Sequence, residues 1–372
     1  MKIIKYITFA LIILNLPAVG LAAFGPGMGS GLSLLTLLML LFYYALVEKT
    51  APNWWIISIA ILYFMISGLQ FTGLTTFFIY EIIKFFTFLI AGYELAKNIN
   101  KNELFVFLLI GSLSIGLEAL FLPSDFGRYA GFYINPNVAG FICIYSYAIV
   151  FSLKNTSLKL LGQFVFTLMG LLTFSRTFIV IWLLLNLISL KISFKNIRIF
   201  GLGFLIFSTM LLIDQVVGLN NPRFQQLKNI VSKENNVSTE EISQDSRTET
   251  WALFYDDVLN APLFGNGYGQ FSGKLPTRPL GAHNTYLMII GEAGILPFLL
   301  FLTYIGYLFY KSFRLFDEAP FLIMQTIALA VFLLANHNFF TFYYMVFTAM
   351  WIQYQIYKLS QPKEESLKEI DL

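Results

Sequence analysis

Apolar runs separated by short polar turns repeat along almost the whole chain. They fall near residues 3–23, 31–47, 54–70, 74–96, 104–122, 138–153, 158–174, 177–190, 197–217, 285–310, 319–335 and 339–357. A helix that crosses a bilayer needs about 20 mostly apolar residues. The pattern therefore predicts an all-α polytopic membrane protein with about 12 transmembrane helices. One long polar interruption, residues 218–284, predicts a large loop on one side. The chain then divides into an N-terminal bundle (1–217), the loop (218–284), a C-terminal set of spans (285–357) and a tail (358–372).

Composition agrees with that pattern. Hydrophobic residues make up 57% of the chain and charged residues 12%, and mean hydropathy is +0.71. A soluble domain carries about 25% charged residues, so a soluble enzyme is excluded. Forty Phe and twenty Tyr suit a lipid-facing, interface-anchored bundle. A net charge of +3 gives no reason to expect nucleic acid as a partner. The single cysteine, Cys143, lies in an apolar run, and the chain has two histidines. A disulfide within the chain and a Cys-based metal site are thereby excluded, and a multi-histidine centre is not expected. We expect no cofactor and no protein-held metal.

The placement of positive charge sets the expected orientation. With the N-terminus in the cytoplasm, the inside loops hold Lys49, Lys97, Lys101, Lys154, Lys159, Lys191, Lys195, Arg198, Lys311 and Arg314. The tail adds Lys358, Lys363 and Lys368. Short outside loops hold only Arg128 and Arg176. This obeys the excess of Lys and Arg in cytoplasmic loops everywhere else. The first 25 residues resemble a signal peptide, with Lys2 and Lys5 before an apolar stretch. They are read as an uncleaved first span, because a second apolar segment follows closely and cleavage would invert the charge pattern.

Within the loop, the stretch VSKENNVSTEEISQD reads as solvated. The stretch from Ser246 to Pro262 reads as a short helix, with Ser246 and Glu249 in a capping-box pattern. Trp251, Leu253, Phe254 and Val258 would form its apolar face. The GNGYG turn (Gly265 to Gly269) lacks the strand and lysine of a phosphate loop. Ionisable residues in the apolar segments are few. Glu81 and Lys84 are spaced to pair on one helical face, and intramembrane charges also mark functional sites; both readings stay open. Glu118, Asp214 and Glu292 fall near span ends.

The outer side collects Arg128, Arg176, Arg247, His283 and His337. Arg128 precedes a span whose start is marked by Asn135, Pro136 and Asn137. Arg176 is at a hairpin tip, Arg247 in the first turn of the loop helix, and His283 directly before the tenth span. Arginine suits a diphosphate, because its planar fork donates two parallel hydrogen bonds and keeps its charge. A histidine at a helix start is pushed toward its neutral form and can take a proton from an attacking hydroxyl. Transfer from a pyrophosphate-linked lipid fits this set. The plainer alternative is arginines that snorkel or pair with acids such as Asp125, beside a cap-position histidine.

Four stretches resemble the O-antigen ligase and polymerase superfamily of bacterial glycan-assembly proteins: GRYAGFYINPNVAG (127–140), LTFSRTFIVIW (172–182), SRTETWALFYDDVLNAPLFGNGYGQF (246–271) and AHNTYLMIIGEAGILPFLLFL (282–302). The resemblance implies a metal-independent, inverting membrane glycosyltransferase of the C-type class in the bacterial inner membrane, its site on the periplasmic face. It implies an undecaprenyl-pyrophosphate-linked glycan as donor and a glycan or lipid A–core as acceptor. Membrane lipid is a further partner, and glycan-export or chain-length-regulating proteins could be others. By motif, Arg176 and Arg247 would hold the donor pyrophosphate, with Arg128 a weaker match, and His283 would activate the acceptor. His337 has no clear counterpart. Pro297 stands where the family often has glycine and would kink the tenth span. Polymerase is the expected activity; ligase and a non-enzymatic lipid-linked glycan transporter are the alternatives.

Overall fold

The computed structural model describes residues 1–122, 127–217, 247–275 and 278–361. Asp125, Ser246, the stretch 218–246, Lys363, Lys368 and the side chain of Asp214 lie outside the described residues. Fifteen α-helices follow one another among those described. They are α1 (Lys2–Ile13), α2 (Leu16–Phe24), α3 (Pro26–Leu46), α4 (Trp54–Leu69), α5 (Thr75–Asn98), α6 (Lys101–Phe121), α7 (Pro136–Ile149), α8 (Thr156–Leu172), α9 (Arg176–Ile192), α10 (Arg198–Val217), α11 (Arg247–Asn260), α12 (Thr285–Ala293), α13 (Ile295–Arg314), α14 (Pro320–Leu333) and α15 (Tyr343–Ser360). Among the described residues five helical stretches are long and apolar enough to cross a membrane: α3, α5, α6, Phe194–Leu212 (which runs into α10) and α13. A sixth span results if α1 and α2 are taken together.

Local chemistry explains where these helices begin. Asn53, Asn100, Asn135, Asn155, Ser175 and Asn284 each cap the helix that follows, their side-chain oxygens accepting first-turn amides. Proline opens α3, α7 and α14, where no amide donor is needed. Helix α7 is the centre of the bundle. Every residue from Val138 to Ile149 is buried, and α6, α8, α9 and α14 pack around it. Its polar atoms find partners locally: Ser146 Oγ donates to the Ile142 carbonyl at 2.5 Å, and Tyr147 OH to Asn186 Oδ1 on α9 at 2.6 Å. Outward faces stay apolar and exposed, as with Leu38 and Leu41 on α3, Ile79 and Ile83 on α5, and Leu117 and Leu120 on α6. Lipid is the solvent those faces fit.

Two apolar segments are broken. The first, 3–23, bends by 61° between α1 and α2, with Asn15 in the left-handed region (φ 54°). The tenth, 285–310, is two helices, and the break is at Gly294 rather than at Pro297. Gly294 has φ +77°, and a Cβ there would lie 2.1 Å from the Leu263 carbonyl oxygen, so only glycine fits. Pro297 sits in the first turn of α13, where its missing N–H costs no helical bond. The spanning helix is Ile295–Arg314 alone.

Lysines gather at one end of the bundle. Lys5 of α1 bonds Glu103 at the start of α6 (2.6 Å) and the Asn98 carbonyl at the end of α5 (3.2 Å). Lys97 reaches the Ala51 carbonyl and Glu94, each at 3.2 Å. Lys101 lies over Phe321 at the start of α14, and Lys191 over Phe316 just past α13.

Candidate functional site

The opposite end holds every residue singled out for chemistry. Gly131, just past Arg128, lies where a loop runs beneath α6. Glu118 of α6 pins that loop by accepting the amides of Ala130 (2.6 Å) and Gly131 (2.5 Å). Arg128 is half-buried. Its Nε donates to the Thr173 carbonyl at 3.1 Å and its Nη2 to Asn137 Oδ1 at 2.9 Å. Ser175, the cap of α9, donates to the same Asn137 oxygen at 3.2 Å. Arg176 is the next residue and is exposed. Asn137 thus ties the Arg128 loop to the Arg176 hairpin.

A second pair forms around residues 335–337, the turn between α14 and α15. Arg247 Nη1 donates to the Ala335 carbonyl at 2.5 Å. Thr285, the first residue of α12, donates its hydroxyl to the Asn336 carbonyl at 2.6 Å. The His283 backbone N–H donates to His337 Nδ1 at 3.1 Å, and the two rings stand edge to face at 4.9 Å. His283 is exposed, whereas His337 is buried. Burial, then electrostatic repulsion from His283 and Lys274, pushes the His337 imidazole down to about 4, against a hydrogen bond to the Ser272 backbone. It is neutral at physiological pH.

The two pairs share one end because α7, α9 and α14 meet there. Phe141, near the start of α7, stacks on Phe332, near the end of α14, with centroids 4.4 Å apart. Gly140 of α7 touches Ser175 closely enough that a Cβ would lie 3.0 Å from the serine Cβ.

The loop between α11 and α12 is held by a buried carboxylate. Glu292 is fully buried and accepts Tyr63 OH at 2.5 Å and the Phe271 amide at 2.8 Å. The GNGYG turn has its amides already engaged: Asn266 to the Gly291 carbonyl (2.7 Å), Gly267 to the Glu292 carbonyl (3.1 Å) and Tyr268 to the Ser67 carbonyl (2.9 Å). It is an anchor on α4 and α12, not an anion cradle. Of the expected face of α11, Phe254 is fully buried against Phe271, and Trp251 and Val258 are half-buried. Leu253 points away, 64% exposed, because at 100° per residue it falls well off the line through 251, 254 and 258.

Four residues gained importance only in three dimensions. Asn137 and His337 organise the arginine and histidine pairs, and Glu292 anchors the loop. Lys274 bonds Glu81 Oε2 (3.1 Å) and Tyr268 OH (2.6 Å), while Lys84 pairs with the other Glu81 oxygen. Glu81 is therefore shared between two lysines, one from its own helix and one from the loop. The signal in the sequence was slight: an acid within an apolar stretch of α5 and a lysine in the 261–284 loop with no neighbouring acid.

Arg176, Arg247 and His283 all lie in one matched segment. Residues 161–302 match the O-antigen ligase family model. The match bears out the resemblance to the O-antigen ligase and polymerase superfamily, and with it a glycan-assembly role for this membrane protein. The O-antigen ligase segment covers less than half of the chain and excludes Arg128 and His337. No curated protein matches the sequence.

Proposed function

We propose that this protein is an inner-membrane glycosyltransferase that polymerises repeat units of a surface polysaccharide (O-antigen, capsule or exopolysaccharide). Its donor is an undecaprenyl-pyrophosphate-linked glycan. One observation carries the reading: Arg247 and His283, 36 residues apart by their numbers (283 less 247) and both inside the O-antigen ligase match, meet the same turn at 335–337. The exposed imidazole of His283 takes the proton of an acceptor sugar hydroxyl as its oxygen bonds to the donor's anomeric carbon. The bond from that carbon to the pyrophosphate oxygen breaks, and undecaprenyl pyrophosphate leaves. Direct displacement inverts the anomeric centre. Charge grows on the leaving pyrophosphate, so Arg176 and Arg247, with Arg128 beside them, stabilise the transition state more than the ground state.

We further propose twelve spans, cytoplasmic termini and a periplasmic 218–284 loop. The gathering of lysines at one end and of the arginine–histidine set at the other supports this orientation. Reporters active on a single side of the membrane, fused after residues 195, 240 and 315, test it. A cytoplasmic signal at 240 would sink both the topology and the site.

The ligase reading draws on the description of the matched family. The glycans of a deletion strain separate the two. Loss of a polymerase leaves single repeat units on their normal anchor. Loss of a ligase leaves bare lipid A–core beside long polymer on the carrier, and that pattern would overturn the polymerase assignment.

A further inference from the structure

His337 is bound to His283 through a backbone bond, not through a ring-to-ring bond. Its Nδ1 accepts the His283 N–H at 3.1 Å, which requires a neutral ring protonated on Nε2. A hydrogen bond to the Ser272 backbone complements that tautomer, and burial, with the nearby Lys274, keeps the ring neutral.

What His337 holds is unusual. His283 has φ +49°, the left-handed region that side-chain-bearing residues seldom adopt. Such a conformation persists where its surroundings over-determine it. Here the chain is pinned on both sides: the Ala282 amide donates to the Phe271 carbonyl at 2.8 Å, and Asn284 caps α12 through the Leu287 amide at 3.1 Å. His337 supplies the pin at His283 itself. Room for its ring comes from Gly281, where a Cβ would lie 2.5 Å from His337 Cε1 and 2.7 Å from Nε2. Glycine at 281 and histidine at 337 form one fitted pair, and neither is assigned a chemical step in the proposed transfer.

We propose that His337 is a positioning residue: its Nδ1 holds the His283 backbone in the left-handed turn that aims the His283 imidazole outward at the acceptor. The inference rests on His283 being the general base of the proposed transfer. The sign of φ sets where Cβ projects, so relaxing this turn swings the imidazole away from its target while leaving the arginines untouched.

Asparagine at 337 places an acceptor near the position of Nδ1, whereas glutamine reaches instead toward the position of Nε2. The full-length protein in nanodiscs is assayed with polyprenyl-pyrophosphate-linked glycan extracted from the deletion strain. His337→Asn is expected to keep kcat within about threefold. His337→Gln and Gly281→Ala, the latter replacing neither histidine but pressing a Cβ onto the His337 ring, are expected to lose roughly ten- to a hundred-fold in kcat, the scale of a small misplacement of a reacting group. KM for the donor should stay unchanged in all three. Equal rates for the Asn and Gln variants, or a wild-type rate for Gly281→Ala, would overturn the proposal. A second measurement stands apart from catalysis. The chain has two histidines, so ring-¹⁵N-histidine labelling yields two imidazole spin systems in NMR spectra. One should remain a neutral Nε2–H tautomer from pH 8 down to 5 and vanish in His337→Asn. If both rings titrate as ordinary histidines, His337 does not hold His283. Absence of transfer by the wild-type protein would count against the functional reading, and the NMR result would still decide the hydrogen bond.

Discussion

At the lysine end, cations lie on rings and helix ends: Lys97 over Tyr93 at 4.1 Å, Lys101 over Phe321 at 4.6 Å and Lys159 over Phe151 at 4.8 Å. At the other end Arg128 and Arg247 donate to backbone carbonyls of turns, and Arg176 and His283 are exposed. Both ends are basic, yet they use charge differently. An ammonium over a ring is a point charge that can be displaced with little geometric consequence. A guanidinium bonded to a carbonyl is oriented, and its remaining donors keep a fixed direction. The lysine end suits orientation in a bilayer, and the arginine end suits recognition of a shaped anion.

The largest separation between the ends is expected for His283→Ala. As a general base His283 should contribute roughly a hundred- to ten-thousand-fold, so transfer by purified protein should fall by that factor while donor binding persists. Lys97→Gln at the opposite end should leave the rate unchanged. Equal effects would erase the distinction between the ends. Next come Arg176→Lys and Arg247→Lys, which keep charge but lose the fork. Hydrogen bonds to charged groups are worth roughly 1.5–3 kcal/mol, so each variant should lose about ten- to a hundred-fold at normal membrane levels. Wild-type surface glycan in both would show that a point charge suffices.

Glu292→Gln probes the loop anchor without entering the site. The amide can accept only at its oxygen, so Tyr63 and Phe271 cannot both be served as now. A buried donor left without a partner costs roughly 1–3 kcal/mol. Limited proteolysis should therefore cleave the 261–284 loop faster in the variant, and an unchanged pattern would mean the turn holds by its backbone bonds alone. The smallest effect concerns pH. His337 is held near 4 in the folded protein, against about 6.5 when unfolded. Between those values the unfolded chain binds more protons, so stability is fully present above about 6.5 and falls as pH drops toward 4. The melting temperature in detergent should decline over that window, and His337→Asn should flatten the decline.

The parts of this molecule readable from its sequence are those set by local pattern. Asn135 with Pro136 announces a helix start, and Asn135 caps α7. Arg128 and Arg176 stood out because arginine in a short outer loop opposes the charge bias. The contacts that organise the site span long stretches of chain: Glu81 with Lys274, Tyr63 with Glu292, His283 with His337. No periodicity encodes such pairings, since they depend on how α4, α5, α12 and the 334–342 turn pack. The break at Gly294 was misplaced to Pro297 for a related reason. A proline announces its constraint in the sequence, whereas the constraint at Gly294 comes from the distant Leu263 carbonyl.

The 335–337 turn has a consequence for biosynthesis. Arg247, His283 and Thr285 leave the ribosome before the residues that hold them. Until α14 has been inserted and its following turn has reached the far side, Arg247 lacks its carbonyl and His283 its imidazole partner. A nascent chain stalled before that point would carry Arg247 and His283 without their contacts to the 335–337 turn, so the site proposed for transfer would be incomplete, although Arg128 would already be held by Thr173 and Asn137. Order of synthesis thus acts as a latch that closes the site only when the bundle around it is nearly complete.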